Sequence, residues 1–350
     1  MHNSMARRTS SKIEPASLTF YLPTSTVAPG ASKTEYLDLS QIASIVNRRF
    51  YRQGLNWAVA GIKVLSQSGF RGSISVAKLP NTWVLSNSWE KSMRSWLKMS
   101  NNALEEAESV RPRFMDFKIY ADATHHQAGF TGNLLPAGLG GTFTPGEWDA
   151  SKIYTPNGPN FPGNTAEFEI LAVGANYPGV SPVTTLNAVS MIEGYAASRA
   201  LPPVDEPNTP ADAVDADGST PENWMSAMFN EGTDQDSEVL DDMRYDNRTN
   251  PYPFEGAQVV GAAPGVVHLD TQYPNGANQS PGLPFHSVDF ISNTTVGGKT
   301  YIKGGNFPCG LMRVDINSDI ESDNTYNLIL EVDLVPGNHR GYLCEPMTEM

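Results

Sequence analysis

Between Trp57 and Leu79 the chain alternates apolar and polar side chains twice. Ala58, Ala60, Ile62 and Val64 interleave with Val59, Gly61 and Lys63; then Ile74, Val76 and Leu79 interleave with Ser73, Ser75 and Lys78. A period of two is the mark of a half-buried β-strand. The Gly- and Ser-rich stretch Ser66–Gly72 supplies the turn between them, and Pro80 closes the second run. The same period returns near the C-terminus, where Leu328, Leu330, Val332 and Leu334 oppose Asn327, Glu331 and Asp333. Further strands are expected at Leu18–Leu22, Tyr36–Leu39, Arg113–Tyr120, Gly146–Tyr154, Ala166–Gly174, Ala257–Leu269, Phe285–Ser292, Lys299–Lys303 and Leu311–Ile316. With 30 Gly and 26 Pro in 350 residues, the spacers are turn-rich loops. Many short strands joined in this way predict an all-β sandwich with long loops and a few short helices. No internal repeat emerges.

Three segments read as helices. Ser40–Phe50 places Ile42, Ile45, Val46 and Arg49 at helical spacing, with Ser40 as N-cap and Arg48, Arg49 and Arg52 projecting from its end. Asn87–Met99 has Asn87 and Glu90 in capping-box register, and Trp89, Met93, Trp96 and Leu97 on one face. Lys91, Arg94 and Lys98 line its other face, as either a nucleic-acid contact or the solvated side of a helix covering a sheet edge. Thr184–Ala200 leans to helix through Leu186, Val189, Ile192, Tyr195 and Ala196.

Charge is divided along the chain. The net charge is −14, yet up to Lys118 basic residues outnumber acidic ones by about two to one. Val204–Asn250 is the acidic extreme, rich in Asp and Glu with only Arg244 and Arg248 in return. That segment lies in an apparent loop insertion at about 201–253, with short helices expected at Glu222–Phe229 and Glu238–Tyr245. One end of the molecule suits a polyanion, and the other keeps an outer surface soluble.

Catalytic chemistry has little to stand on. His125-His126 catches the eye, but neighbours on a strand face opposite ways and make a poor ligand pair. The remaining histidines are scattered. The run Asp315, Asn317, Asp319, Glu321, Asp323 lacks the central Gly of a calcium loop and reads as a solvated turn. No P-loop, dinucleotide fingerprint or nucleophile elbow occurs. No enzyme activity, cofactor or metal is therefore expected. Two cysteines, Cys309 and Cys344, exclude a disulfide framework; they read as thiols in a reducing compartment, with a single bridge as the alternative. The N-terminus lacks the apolar core of a signal peptide, and no stretch is long enough to span a bilayer. The chain reads as a soluble protein made in the cytosol, where the sequons at Asn247, Asn278 and Asn293 are without consequence.

The runs YLDLSQIASIVNRRFYRQGLNWAVAGIKV and ISVAKLPNTWVLSNSWEKSMRSWLKM, with NFPCGLMRVDINSD and NLILEVDLVPG near the end, resemble capsid proteins of circular single-stranded DNA viruses that encode a replication initiator. The resemblance covers about a third to two-fifths of the chain and includes no catalytic signature. It implies a single jelly roll of two antiparallel four-stranded sheets. It also implies self-assembly into a small icosahedral shell around a circular DNA genome, in a virion made in the host cytoplasm or assembled in the host nucleus. Such proteins commonly carry a long arginine-rich arm. Here only Arg7, Arg8 and Lys12 stand in that place, on an arm of residues 1–17, so Arg48, Arg49 and Arg52 must share any neutralisation of phosphates. The partners so implied are copies of the chain and single-stranded DNA bound without sequence preference, with no membrane insertion and no receptor legible. The alternative is a glycan-binding or appendage-type β-sandwich, stacking sugars on loop aromatics such as Tyr177 and Tyr252–Phe254. A basic first third sets the first reading apart from the second.

Overall fold

The computed structural model describes residues 15–105, 108–112, 115–156, 165–175, 180–197, 224–228, 282–292, 294, 298–320 and 324–350. The chain is mostly β, in antiparallel sheets, with few helices. In order it forms β1 (Thr19–Pro23), β2 (Ser32–Asp38), α1 (Leu39–Asn47), β3 (Leu55–Ser66), β4 (Gly72–Lys78), α2 (Trp83–Leu104) and α3 (Ala123–Ala128). Next come the two-residue strands β5 (Ala137–Gly138) and β6 (Gly141–Thr142), then β7 (Lys152–Pro156), β8 (Thr165–Leu171), β9 (Asn187–Ser190) and α4 (Met191–Ala197). After the short helix Trp224–Ala227 follow β10 (Phe285–Ile291), β11 (Lys299–Phe307), β12 (Leu311–Ser318), β13 (Leu328–Leu334), β14 (Pro336–Gly337), β15 (Gly341–Tyr342) and β16 (Cys344–Pro346).

One sheet runs β1-β13-β3-β11, with β16 added to the start of β3. The other runs β10-β4-β12-β2. Every pairing in both is antiparallel. The alternation read from the sequence sets their faces. Ile62, Val64, Val332 and Leu330 from the first sheet share one buried core with Ile74, Val76, Val314 and Ile316 from the second. On the first sheet's outer face a row crosses all four strands as Tyr21, Glu331, Lys63 and Tyr301. Gly72 is required where β4 meets β12, because a Cβ there would fall 2.0 Å from the Asn317 carbonyl oxygen.

Between β4 and β10 the chain leaves the second sheet and builds a further layer on its outer face. Trp89 of α2, Phe117, Ile119, Ile153, Phe168, Ile170 and Tyr195 pack there with Tyr36 of β2 and Leu311 of β12. The small sheet β7-β8-β9 lies in this layer, with β8 and β9 parallel. Trp224, from the acidic stretch, is fully buried in it and donates its indole N–H to the Ser190 carbonyl at 3.0 Å. Gly194 leaves the space for that indole, since a Cβ would sit 1.9 Å from its nitrogen.

Several local expectations are corrected. α1 is capped by Asp38, not Ser40: its carboxylate accepts from the amides of Ser40 (2.8 Å) and Gln41 (3.3 Å). α2 begins at Trp83 with Thr82 as cap and runs 22 residues, so it is not short, and Glu90 pairs with Arg94 in place of the expected capping box with Asn87. Residues 115–119 are not a strand. The Ile119 amide and carbonyl are both taken by the Gln53 side chain (2.7 and 3.1 Å), and those of Lys118 by Ser151, so no ladder is left to form. Within the ambiguous stretch that leaned to helix, Asn187–Ser190 is a strand and Met191–Ala197 a helix. Asp315 and Asn317 lie within β12, not in a turn. The expected Ala257–Leu269 strand and Glu238–Tyr245 helix lie outside the described residues.

Candidate nucleic-acid interface

The arginines singled out by sequence lie in the loop joining α1 to β3. Arg48 ends the helix by adopting φ 52°, a left-handed conformation that stops helical hydrogen bonding. Arg48 and Arg52 are exposed and Arg49 is half-buried. The loop is held from below. Tyr51, fully buried, packs against Trp57 and Tyr342 at ring distances of 6.0 and 5.5 Å. Its hydroxyl donates to the Arg340 carbonyl at 3.0 Å, while the Arg340 guanidinium donates back to the Phe50 carbonyl. Met347 donates its amide to the Gly54 carbonyl, and the Trp89 indole lies against Gly54, so the C-terminus and α2 brace the loop's far end.

The N-terminal arm leaves from the same place. The Tyr342 hydroxyl donates to the Ser17 carbonyl (2.6 Å), the Ser17 amide to Asn47 Oδ1 (3.0 Å), and Arg49 Nη1 to the Pro15 carbonyl (3.2 Å). Arg7, Arg8 and Lys12 lie outside the described residues, on the chain that precedes this root. The structure thus gathers Arg48, Arg49 and Arg52 at the base of the arm. It adds Arg340 and His339, which sequence reading missed because some 290 residues separate them from the loop. His339 titrates below its ordinary value, first through burial and then through the nearby charges of Arg340 and Arg52.

Beneath the loop sits a buried polar network. Asp38 Oδ2 accepts from Gln53 Nε2 (3.0 Å) and from the Trp148 indole (3.1 Å), and Asp116 Oδ1 accepts from the Gln53 amide (3.3 Å). Burial drives both carboxyls upward, Asp38 to about 6 and Asp116 to about 7. Lys118 and Arg52 oppose the shift of Asp116, and the charge of Asp38 adds to it. Asp116 Oδ2 is buried without a hydrogen-bond partner, and the Lys118 ammonium stands 3.9 Å away.

The other flagged groups resolve differently. His125 and His126 ride one short helix, capped by Asp122, and both are fully buried. They are not strand neighbours. His125 stacks on Tyr36 at 4.4 Å and meets Asn133 Oδ1 at 2.9 Å; burial pushes it down to about 4. His126 lies 2.9 Å from Glu169. Among the described residues no group of three His, Cys, Asp or Glu side chains is placed to hold a metal. Asp315, from the acidic run, is bound by Arg313 (2.9 Å) and Thr34 (2.5 Å). Cys309 and Cys344 are free thiols. On α2, Lys91 lies 6.0 Å from the Tyr195 ring and Arg94 pairs with Glu90. Tyr177 and Tyr252–Phe254 lie outside the described residues. No helix of the described residues is long and apolar enough to cross a membrane. No protein-family model, no curated protein and no solved structure matches the chain.

Proposed function

We propose that this chain is the capsid subunit of a virus with a circular single-stranded DNA genome, folded as a single jelly roll and assembling with its own copies into a closed shell. Counted along the chain, the eight strands of the two main sheets run 1-8-3-6 in one and 2-7-4-5 in the other. Two sheets so ordered, with every pairing antiparallel, suit the double Greek key of a jelly roll, an architecture capsids share with lectins and cupins. Fold alone does not choose among these. The observation that carries the reading is the arginine loop set at the root of the basic arm. Arg48, Arg49, Arg52 and Arg340 stand on a rigid aromatic base and meet a polyanion without reading its sequence. In sequence, the arm that precedes this root adds the positive charges of Arg7, Arg8 and Lys12. On this reading the protein belongs to the virion.

The test is the nucleic acid that accompanies the protein. High-mass material from a purification is treated with nuclease, and its 260/280 nm absorbance ratio is followed. A nucleic-acid-like ratio that survives nuclease supports enclosure. A nucleic-acid ratio that collapses under nuclease argues for surface binding and against a shell around DNA.

A further inference from the structure

Among the described residues the two sheets have four edges, and three carry Lys, Pro or Gly that discourage pairing with another strand. β1 is five residues long and ends in Pro23. β2 opens with exposed Ser32 and Lys33. β11 carries Lys299 and Lys303 and then Gly304-Gly305. β10, the edge of the second sheet, has no Lys, Pro or Gly, and its one irregularity is a register shift between Phe285 and Ser287 at its start. Its polar side chains are used internally: His286 bonds the Lys303 carbonyl at 2.8 Å, and Asp289 accepts from Ser287 at 2.8 Å. Phe285, Val288 and Phe290 are left 70, 50 and 78% exposed, while Ile291 points into the core.

We infer that β10 is an interface between copies of this chain, pairing antiparallel with β10 of a second copy about a two-fold axis. The inference rests on the shell reading only in taking a second copy as the occupant. A two-fold axis perpendicular to the sheet keeps each residue on its own face. Phe285, Val288 and Phe290 of both copies then meet on one surface, and the outward backbone groups of the two strands pair with each other. The two phenylalanines expose on the order of 300 Å² per copy. A standard interface buries about 800 Å² per partner, so they supply a substantial part of one side. The apolar contact and the strand pairing come from the same residues, and strand pairing is open only to another polypeptide.

The experiment is sedimentation velocity on the full chain over a range of concentration, with Phe290→Asp, Val288→Asp and Tyr301→Asp. Tyr301 is the control, an exposed aromatic on the lysine-protected edge. The expected result is a reversible dimer whose Kd rises at least about 30-fold in the β10 variants and is unchanged in the Tyr301 variant. Hydrogen exchange of the wild-type β10 amides, slowed in the associated state, reads the same contact should a variant fold poorly. Association that the β10 variants leave intact, or β10 amides unprotected in dimers or particles, overturns the inference. Particles without β10 protection leave the shell reading standing. A β10-dependent dimer that never closes into particles keeps the interface and removes the shell.

Discussion

Asp116→Asn turns the buried carboxyl beneath the arginine loop into a measurement. Asp116 is 4% exposed at its side chain, and its folded-state titration lies near 7 against an ordinary 3.8. The folded protein therefore binds a proton that the unfolded chain has released between those two pH values. Stability is highest while the group is protonated, falls as pH rises from about 4 to about 7, and is level above that. The shift of about three units corresponds to roughly 4 kcal/mol of lost stability at pH 8. The asparagine amide carries no charge at any pH and still accepts from the Gln53 amide. It puts an NH2 group with two N–H donors where the unpartnered Oδ2 lies, costing about 1–2 kcal/mol. The net expectation is a gain of about 2–3 kcal/mol at pH 8, read as a rise of roughly 5 °C in Tm. The gain should fall below about 1 kcal/mol at pH 4, where wild type is itself protonated. Thermal melts of both proteins at the two pH values provide the assay. An equal difference at both, or a variant less stable at pH 8, would refute the assignment of Asp116 as a carboxyl whose titration burial raises.

Three further outcomes are expected. Trp224→Ala removes a fully buried indole and its bond to Ser190, and should lower unfolding free energy by about 3–5 kcal/mol, measured by urea titration. Replacing Arg48, Arg49 and Arg52 together by Ala should reduce the slope of log K against log salt for a single-stranded oligonucleotide by about 2, equally for unrelated sequences. Gly72→Ala forces a Cβ onto the Asn317 carbonyl where β4 begins against the end of β12, two inner strands of the second sheet, and should yield insoluble or unfolded protein on expression.

The strands were readable because burial on one face imposes a period of two, which β12 keeps closely. In β3 the phase breaks: Val59, not Ala58 or Ala60, is buried in the core, where the pairing with β13 shifts register. In β4 Ser75 and Ala77 are buried as well, because the further layer covers that face. Caps were less readable, because Asp38 and Ser40 are both acceptable and only the fold decides which carboxylate or hydroxyl reaches the amides. Residues 115–119 misled because alternation describes side chains, while Gln53 took the backbone groups a strand needs. His125-His126 misled because Asp122, a cap three residues upstream, turns the pair into a helix. Trp224 had a signal in hindsight: WMSAMF is the one apolar cluster in an acidic stretch, and such a cluster has to be buried somewhere. The arginine loop was legible as charge, but its partners were not. Arg340, Tyr342 and Asp116 come from distant parts of the chain, joined only by the sandwich.

The account stands or falls on whether copies of this chain enclose space. Negative-stain electron microscopy of the purified full chain, across salt and pH, measures this directly. The prediction is uniform closed particles of a single small diameter. A stable monomer or small open oligomer under every condition would contradict it.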